Sequence, residues 1–373
     1  MNSWCKNFEL LIKSRTPLIW ITTKEEERLY KVIKNSCEKL SIKRFVLWDC
    51  VNGLKGALNE EGKFSNNPLG VLNWIKDQSS ELSTLLLLKD FHKFYDDPSI
   101  CRTIKELSYS LKKTTNNLIL SSHTLPSSEE LDDLMTIINL PLPDQSELIN
   151  LIKKIATNTD SNLNEDDLIE LASASSGLSE VRVKQVAAKA LTKRGKISKE
   201  DIKDILEEKK QVIARSEILE FFEGNSNQND IGGLKVLKVW LKQRYQAFSK
   251  EAREYGLPIP KGVLLVGPQG TGKSLTAKSI SKTWSMPLLR LDVGRLFSSL
   301  VGSSEARTRE TILRAEAMSP CILWIDEIDK GFGGDARSDG GTSQRVLASL
   351  LTWMAEKESA VFVIATANAI DKL

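Results

Sequence analysis

The first 143 residues alternate short apolar runs with longer amphipathic segments. Strand-length apolar runs separated by helix-length segments are typical of an α/β fold, because neighbouring parallel strands need a crossover helix between them. Residues 144–215 contain no strand-like run and show several helical patterns, which predicts a small helical domain. The apolar runs of the first segment are PLIWITT, KRFVLWDC, STLLLLKD and NNLILSSH.

A polar segment at residues 223–233, EGNSNQNDIGG, separates this part from a second α/β pattern. Its Gly, Asn and Ser residues neither pack nor propagate a helix, so we interpret it as a linker. Downstream, strands and helices alternate again, which predicts an open doubly wound parallel sheet with ligands at the carboxyl ends of its strands. The predicted domains are an α/β module at 1–143, a helical lid-like subdomain at 144–224 and a second α/β domain at 225–373.

The composition of the 373 residues is that of a folded soluble protein, with 41% hydrophobic and 27% charged residues. A net charge of +3 gives no general reason to expect a nucleic acid or a membrane surface as partner. The five cysteines form no CxxC pair, which argues against disulfides and favours a reducing compartment. The apolar runs are too short to cross a bilayer, and the first residues lack a secretory signal. We therefore expect a cytoplasmic protein of cyanobacterial type or a protein of the chloroplast stroma.

The sequence GPQGTGKS at residues 267–274 lies between an apolar strand and a helix. Its Gly-x-x-x-x-Gly-Lys-Ser spacing predicts a loop that wraps a polyphosphate with backbone amides, since glycines allow the tight turn and the helix directs its positive end at the anion. We expect Lys273 to reach the β- and γ-phosphates of ATP, and Ser274 to ligate Mg²⁺. The predicted nucleotide-binding residues of this loop are Gly267, Pro268, Gln269, Gly270, Thr271, Gly272, Lys273, Ser274 and Leu275.

Two further strand ends carry polar residues that suit ATP hydrolysis. Asp326 and Glu327 follow the apolar run CILWI, and Asn368 follows the run VFVIATA. We expect Asp326 to hold the Mg²⁺ ion and Glu327 to act as the general base that takes a proton from the attacking water. The amide of Asn368 would orient that water and sense the γ-phosphate. Lys273, Glu327 and Asn368 are therefore the predicted catalytic residues.

In this order, the motifs resemble those of the AAA family of ATPases over residues 225–373. The resemblance implies that Asp230, Ile231 and Gly232 line the adenine slot, that full-length subunits assemble as hexamers, and that ATP hydrolysis remodels a protein or other macromolecular partner. The phrases WIDEIDKGFGG and LTWMAEKESAVFVIATAN resemble more narrowly the family called hypothetical chloroplast open reading frame forty-six, of plastids and cyanobacteria. The segments that carry the broader resemblance are NDIGGL, PKGVLLVGPQGTGKS, VGSSEARTRE, CILWIDEID and VFVIATAN.

The upstream half follows a similar order of elements but has no Gly-x-x-x-x-Gly-Lys sequence. Lys89 and Asp90 stand at the strand end where the resemblance would place an acidic pair. We therefore interpret residues 1–143 as a degenerate AAA-like module, kept for assembly or partner binding. Its two histidines, His92 and His123, have no sequence spacing that indicates a metal site or a catalytic pair.

Two features depart from the family pattern. Residues 300–302, LVG, lack the aromatic residue of a substrate-threading pore loop, and only five residues follow Asn368, so the arginine fingers and the helical lid are absent from the chain. An arginine supplied in trans contributes on the order of 10³ to 10⁵ in rate. We therefore expect the chain to bind ATP but to hydrolyse it weakly, unless Arg337 or Arg345 takes that place.

Two functions from different classes stay open at this point. The first is an AAA-type ATPase that couples ATP hydrolysis to remodelling of a macromolecular partner. The second is a nucleotide-gated scaffold or nucleic-acid-binding regulator with little turnover, for which the basic helix at residues 182–196 could contact a phosphate backbone. A basic run of this kind is more often a solvated helix face. The variant Glu327→Gln should abolish function in the first case and leave it unaffected in the second.

Overall fold

The computed structural model describes residues 2–57, 59–124, 131–159, 161–214, 218–222, 232–249, 252, 255–284, 286–297, 303–329 and 342–368. Contacts within the chain divide it into two units, Met1–Leu142 and Pro143–Leu373. Each unit has its own largely parallel sheet, which confirms the predicted α/β class.

Unit 1 is built on a six-stranded sheet with helices between its strands. The strand order is β3-β2-β4-β5-β1-β6, and every pairing is parallel except that of β2 with β3. The strands are β1 (Leu18–Thr22), β2 (Arg44–Asp49), β3 (Gly53–Lys55), β4 (Thr84–Lys89), β5 (Asn117–Ser122) and β6 (Thr136–Asn139). The helices are α1 (Asn2–Lys13), α2 (Glu26–Lys39), α3 (Pro68–Lys76) and α4 (Pro98–Leu111).

Both faces of this sheet are covered. Along β1, Leu18 and Trp20 belong to the core on one face, whereas Ile19 and Ile21 belong to the core on the other face. A strand buried on both faces needs apolar residues at every position, because successive side chains point to opposite sides. This requirement explains why the inner strands read as continuous apolar runs in the sequence.

Unit 2 begins with four helices that share a separate apolar core. The first of them starts at a capping box, in which the Asp144 side chain accepts a hydrogen bond from the backbone N–H of Glu147 at 2.9 Å. The pKa of Asp144 lies below its ordinary value although burial opposes the shift, because hydrogen bonds stabilise the carboxylate. The four helices are α5 (Gln145–Asn158), α6 (Glu165–Ser175), α7 (Glu180–Arg194) and α8 (Ile202–Ala214).

The sheet of unit 2 has the order β7-β9-β10-β11-β8. Its strands β8 to β11 are parallel, and β7 joins the edge antiparallel to β9. The strands are β7 (Leu219–Phe222), β8 (Gly262–Val266), β9 (Leu288–Leu291), β10 (Cys321–Ile325) and β11 (Val361–Ala367). The helices around it are α9 (Lys235–Gln246), α10 (Lys273–Trp284), α11 (Val293–Phe297), α12 (Ser303–Ala317) and α13 (Thr342–Glu356).

The sequence patterns did not predict three of the strands, namely β3, β6 and β7. Each has only three or four residues and lies at or next to a sheet edge, where one face or one side is open to solvent. Such strands need fewer apolar residues, so their sequences carry a weak strand pattern. Strand β7 also precedes the polar segment 223–233, so the sheet of unit 2 draws on residues from both sides of that segment.

A lysine is buried where helix α8 packs near the first residue of β10. Lys209 is only 2% exposed, and burial lowers its pKa from the ordinary 10.5 to about 8. The nearby thiol of Cys321 is fully buried, and burial raises its pKa to about 12. The pKa of Lys209 is therefore higher in the unfolded chain than in the folded chain. The proton binds more tightly to the unfolded state, and at neutral pH this difference lowers the free energy of unfolding.

We predict that Lys209→Met raises the free energy of unfolding at pH 7 by roughly 1–3 kcal/mol, because it removes a charge that burial disfavours. The wild type should then gain stability relative to this variant as the pH rises from about 8 towards 10.5, since over that range the folded lysine has lost its proton and the unfolded lysine still holds one. Urea unfolding at several pH values measures both effects. The exposed Lys203 lies on the same helix, and Lys203→Met should change neither. A lower stability of Lys209→Met at pH 7 would show that the ammonium is well solvated or paired.

Candidate phosphate-binding site

The segment between β8 and α10 forms an open loop with the geometry of an anion cradle. Gly270 and Gly272 adopt φ values of +81° and +83°, which favour glycine. A Cβ atom at either position would meet no other atom within 4 Å, so the positive φ, rather than a lack of space, is what favours glycine there. The loop starts at Gly267, whose N–H donates to the carbonyl of Ala367 at 3.2 Å, and it continues directly into α10 at Lys273.

Lys273 joins this loop to the end of strand β11. Its ammonium donates hydrogen bonds to the carbonyl oxygens of Gly267 at 2.6 Å and Pro268 at 2.8 Å, and to Oδ1 of Asn368 at 3.0 Å. The side chain is therefore folded across the mouth of the loop, where an ammonium can neutralise a phosphate. The predicted catalytic pair Lys273 and Asn368 thus lies in direct contact.

Ser274 and Asp326 face each other across the adjacent strand end. The distance from Ser274 Oγ to Asp326 Oδ1 is 3.4 Å, and both side chains are partly buried. A hydroxyl and a carboxylate at this separation offer oxygen ligands, the type that Mg²⁺ prefers. The two residues predicted to hold Mg²⁺ are thus brought together at this strand end.

Thr366 fixes both acidic residues of this strand end. Its hydroxyl donates to Asp326 Oδ1 at 2.7 Å and accepts a hydrogen bond from the backbone N–H of Glu327 at 2.9 Å. Glu327 itself has a φ of +49°, a left-handed conformation that is uncommon outside glycine. Such conformations persist where neighbouring contacts hold them, and they cluster at functional sites.

Two further residues beside the site were missed by the sequence analysis. Arg290, on β9, places Nη2 3.6 Å from Asp326 Oδ2, and its guanidinium lies 5.3 Å from the ring centre of Trp324. Asp329, which is 5% exposed, accepts a hydrogen bond from the backbone N–H of Asn368 at 3.1 Å. Thr366 and Asp329 lie within the segments VFVIATAN and CILWIDEID, whereas Arg290 lies outside the segments that carry the resemblance. The sequence assigned none of the three a role, because their contacts arise from strand pairing rather than from spacing.

Not every predicted residue lies within the described part of the chain. Gly232 is described and exposed, whereas Asp230 and Ile231 of the predicted adenine slot lie outside the described residues. The predicted pore-loop residues 300–302 and the glycine-rich segment 330–341, which contains Arg337, also lie outside them. The other predicted loop residues, Pro268, Gln269, Thr271 and Leu275, are exposed around the cradle.

In unit 1, the segment between β1 and α2 corresponds to the glycine loop of unit 2 but carries different residues. Strand β1 lies next to β5 as β8 lies next to β11 in unit 2, although β1 also pairs with β6 whereas β8 is the end strand of the sheet that the described residues form. After β1, however, Glu25 and Arg28 form a buried ion pair at 2.7 Å, and each residue is only 4% exposed. An ion pair thus lies at the start of α2, where unit 2 has its glycine loop.

Comparison with known proteins agrees with this geometry. Residues 263–373 match the family described as ATPase family associated with various cellular activities (AAA), and residues 4–140 and 146–216 match the N-terminal and second domains of SpoVK-like AAA ATPases. The uncharacterized AAA domain-containing protein ycf46 of Guillardia theta is 46% identical over 372 residues, which cover 100% of this chain and 74% of that protein. The chain belongs to the AAA ATPase family. The protein of the same name from Pyropia yezoensis is 42% identical, over 100% of this chain and 76% of its own length.

Family membership confirms the recognition made from the motifs, including the narrower resemblance to the ycf46 proteins. It supports an ATP-binding ATPase in general terms. A more distant AAA relative, the ATP-dependent zinc metalloprotease FtsH of Cyanidium caldarium, is 39% identical over 39% of this chain and 25% of its own length. Among the described residues, none of the helices is both long and apolar enough to span a membrane.

We predict that Thr366→Val slows ATP turnover by about 100-fold, because a misplacement of about 1 Å in a catalytic group costs that much. Valine keeps the shape of the buried side chain but removes both hydrogen bonds, so ATP affinity should stay near the wild-type value. The Mg²⁺ concentration needed for half-maximal turnover should rise, since Asp326 loses its orientation. Single-turnover kinetics at varied Mg²⁺ measure both quantities. Thr366→Ser is the matched control and should restore them; equal behaviour of the two variants would contradict the role assigned to the hydroxyl.

Proposed function

We propose that this AAA protein binds ATP with Mg²⁺ at residues 267–275 and hydrolyses it. The observation that carries the proposal is the contact of Lys273 with both the loop carbonyls and Asn368, beside the facing pair of Ser274 and Asp326. A structural turn would need its glycines, but it would not need a cation, a hydroxyl, a carboxylate and an amide that converge from three chain segments on one strand edge.

Each residue has a distinct proposed role at this edge. Lys273 neutralises the β- and γ-phosphates, and Ser274 and Asp326 hold Mg²⁺, which balances negative charge on the phosphate oxygens. Asn368 orients the attacking water through its amide. Asp230, Ile231 and Gly232 remain the proposed residues of the adenine slot.

Glu327 is the proposed general base. Its neighbour Asp326 is already engaged by Thr366 and Arg290, so it is suited to a structural and metal-holding role. The amide of Glu327 is held by Thr366, which fixes where its side chain leaves the backbone. The carboxylate can then accept a proton from a water molecule that attacks the γ-phosphate, and release that proton to solvent after phosphate leaves.

We further propose that turnover by this chain alone is slow. Among the described residues, Lys273 and Arg290 are the basic side chains seen in contact with the site. Lys273 has the role of binding the phosphates. The guanidinium of Arg290 contacts Asp326, Glu220 at 3.5 Å and the ring of Trp324. Charge that develops on the γ-phosphate therefore calls for a further cation, and an arginine from a neighbouring subunit of a hexamer is the family's usual source.

The macromolecular partner is proposed to be a protein or another polymer that ATP turnover remodels, in the chloroplast stroma or a cyanobacterial cytoplasm. Helix α7 carries most of the basic segment 182–196 that could contact a nucleic acid. Five of its basic side chains lie next to carboxylates of unit 2, which compensate their charge, so this helix does not favour a nucleic-acid partner. These pairs are Arg182–Glu208, Lys184–Glu180, Lys189–Asp204, Lys193–Asp204 and Arg194–Asp201.

We predict that Lys273→Ala weakens ATP binding by about 100-fold or more, because a charge-assisted contact with phosphate is worth a few kcal/mol. Glu327→Gln should retain ATP binding and lose hydrolysis, since glutamine cannot accept the proton. Calorimetry with ATP and Mg²⁺ and a phosphate-release assay measure the two effects. Lys282→Ala is the matched control, because Lys282 is exposed in the last turn of the same helix and should affect neither. Unchanged ATP affinity in Lys273→Ala would refute the proposed site.

The same variants separate the two classes of function. If hydrolysis drives remodelling, cells that carry Glu327→Gln should lose the function of the protein although the variant still binds ATP. If the protein were a nucleotide-gated scaffold, Glu327→Gln would behave as wild type and only Lys273→Ala would be defective.

A further inference from the structure

The chain has only two histidines, and the fold of unit 1 brings them together. His92 lies in a short helical turn, Phe91–Lys93, just after β4, and His123 directly follows β5. Because β4 and β5 are parallel neighbours, their carboxyl ends share one edge of the sheet. The ring centres of the two histidines are 4.9 Å apart and the rings are nearly perpendicular, at 88°.

Asp90 completes a group of three metal-ligating side chains. It follows β4, and its N–H donates to the carbonyl of Ser121 at 2.9 Å, which ties it to the end of β5. Its carboxylate oxygen Oδ1 lies 4.0 Å from Nδ1 of His92. One ligand atom from each of Asp90, His92 and His123 lies within 4.8 Å of the other two.

We propose that Asp90, His92 and His123 bind a divalent transition-metal ion, with Zn²⁺ as the leading candidate. Two imidazoles and a carboxylate are an established type of zinc ligand set, with water as a fourth ligand. Bonds of about 2.0 Å in tetrahedral geometry place ligand atoms roughly 3.3 Å apart, so separations within the group need to shorten by up to about 1.5 Å. Rotation of the exposed His123 side chain and of the half-buried Asp90 side chain would supply this movement.

An unpartnered polar atom points to the same place. Nδ1 of His92 is buried and has no hydrogen-bond partner among the described residues, and Asp90 is too distant to accept a hydrogen bond from it. A buried ring nitrogen without a partner is unfavourable, whereas a metal ion would use its lone pair.

The surroundings hold the turn in place and remove a competing charge. Phe91 is fully buried and packs edge-on against Trp48 with ring centres 5.7 Å apart, so the turn that carries His92 is anchored in the core. The ammonium of Lys89 lies 3.3 Å from Glu26, so its charge is compensated, and Lys93 is exposed to solvent. An ion can reach the group from the solvent side, where His123 is exposed.

The spacing of the two histidines in the sequence indicates neither a metal site nor a catalytic pair. Their separation of 31 positions matches no metal-binding motif, and only the pairing of β4 with β5 brings them into contact. The edge concerned is the one at which open α/β sheets usually bind ligands. Unit 1 would thus bind a metal ion at the strand ends where unit 2 has its phosphate site, without taking part in ATP binding.

The test uses the full 373-residue chain, Zn²⁺ as the probe and two readouts. Calorimetry measures affinity and stoichiometry, and NMR of selectively labelled histidine follows the only two imidazoles of the chain, which zinc bound to a cysteine elsewhere would not perturb. We expect one equivalent of Zn²⁺ to shift the signals of both histidines together. The variants are His123→Ala, which is exposed and so safe for folding, and Asp90→Asn, which keeps the preference for the left-handed φ of +51°.

Both variants should weaken Zn²⁺ binding by about 100-fold or more, because even changes outside the ligand set cost 10–100-fold. Asp326→Asn, which alters the proposed Mg²⁺ site, is the control and should leave the histidine shifts and the Zn²⁺ affinity unchanged. The proposal is overturned if one equivalent of Zn²⁺ shifts neither histidine, or if His123→Ala and Asp90→Asn bind it as tightly as the wild type.

Discussion

The parallel register of β8, β11 and β10 determines the geometry of the phosphate site. Ala365 of β11 pairs with Leu264 on one side and with Ile325 on the other, so the three strands end close together at one edge. The residues that come directly after these strands therefore meet at that edge, although Lys273 and Asn368 are 95 positions apart in the chain. Strands β10 and β11 are buried along their whole length, and the backbone hydrogen bonds among the three strands fix the positions of these ends.

Side-chain contacts then orient the residues that the strand register brings together. Thr366 is fully buried within β11 and binds both Asp326 and the amide of Glu327, so a residue inside one strand orients two acidic residues at the end of the next strand. Arg290, from the strand on the far side, balances the charge of Asp326. The site is thus supported by neighbours from β9 and β11, which is the arrangement that a precisely oriented catalytic group requires.

The two units show how one sheet order can carry different chemistry. In unit 1, β1, β5 and β4 stand in the order that β8, β11 and β10 have in unit 2. Yet after β1 there is the buried Glu25–Arg28 pair where unit 2 has its glycine loop, and the ends of β4 and β5 carry Asp90 and His123 where unit 2 has Asp326 and Asn368. The strand order fixes where side chains converge, and the residues at those ends decide what they can bind.

The sequence alone determined the α/β class, the inner strands, the glycine loop and the residues Lys273, Ser274, Asp326, Glu327 and Asn368 as candidates. It could do so because continuous burial and phosphate binding both impose local patterns that a linear sequence displays. Only the tertiary structure decided the short edge strands, the support from Thr366 and Arg290, and the meeting of His92 with His123. Those features depend on which strands become neighbours, and hydrogen bonding between distant segments leaves no periodic or spaced signal in either segment.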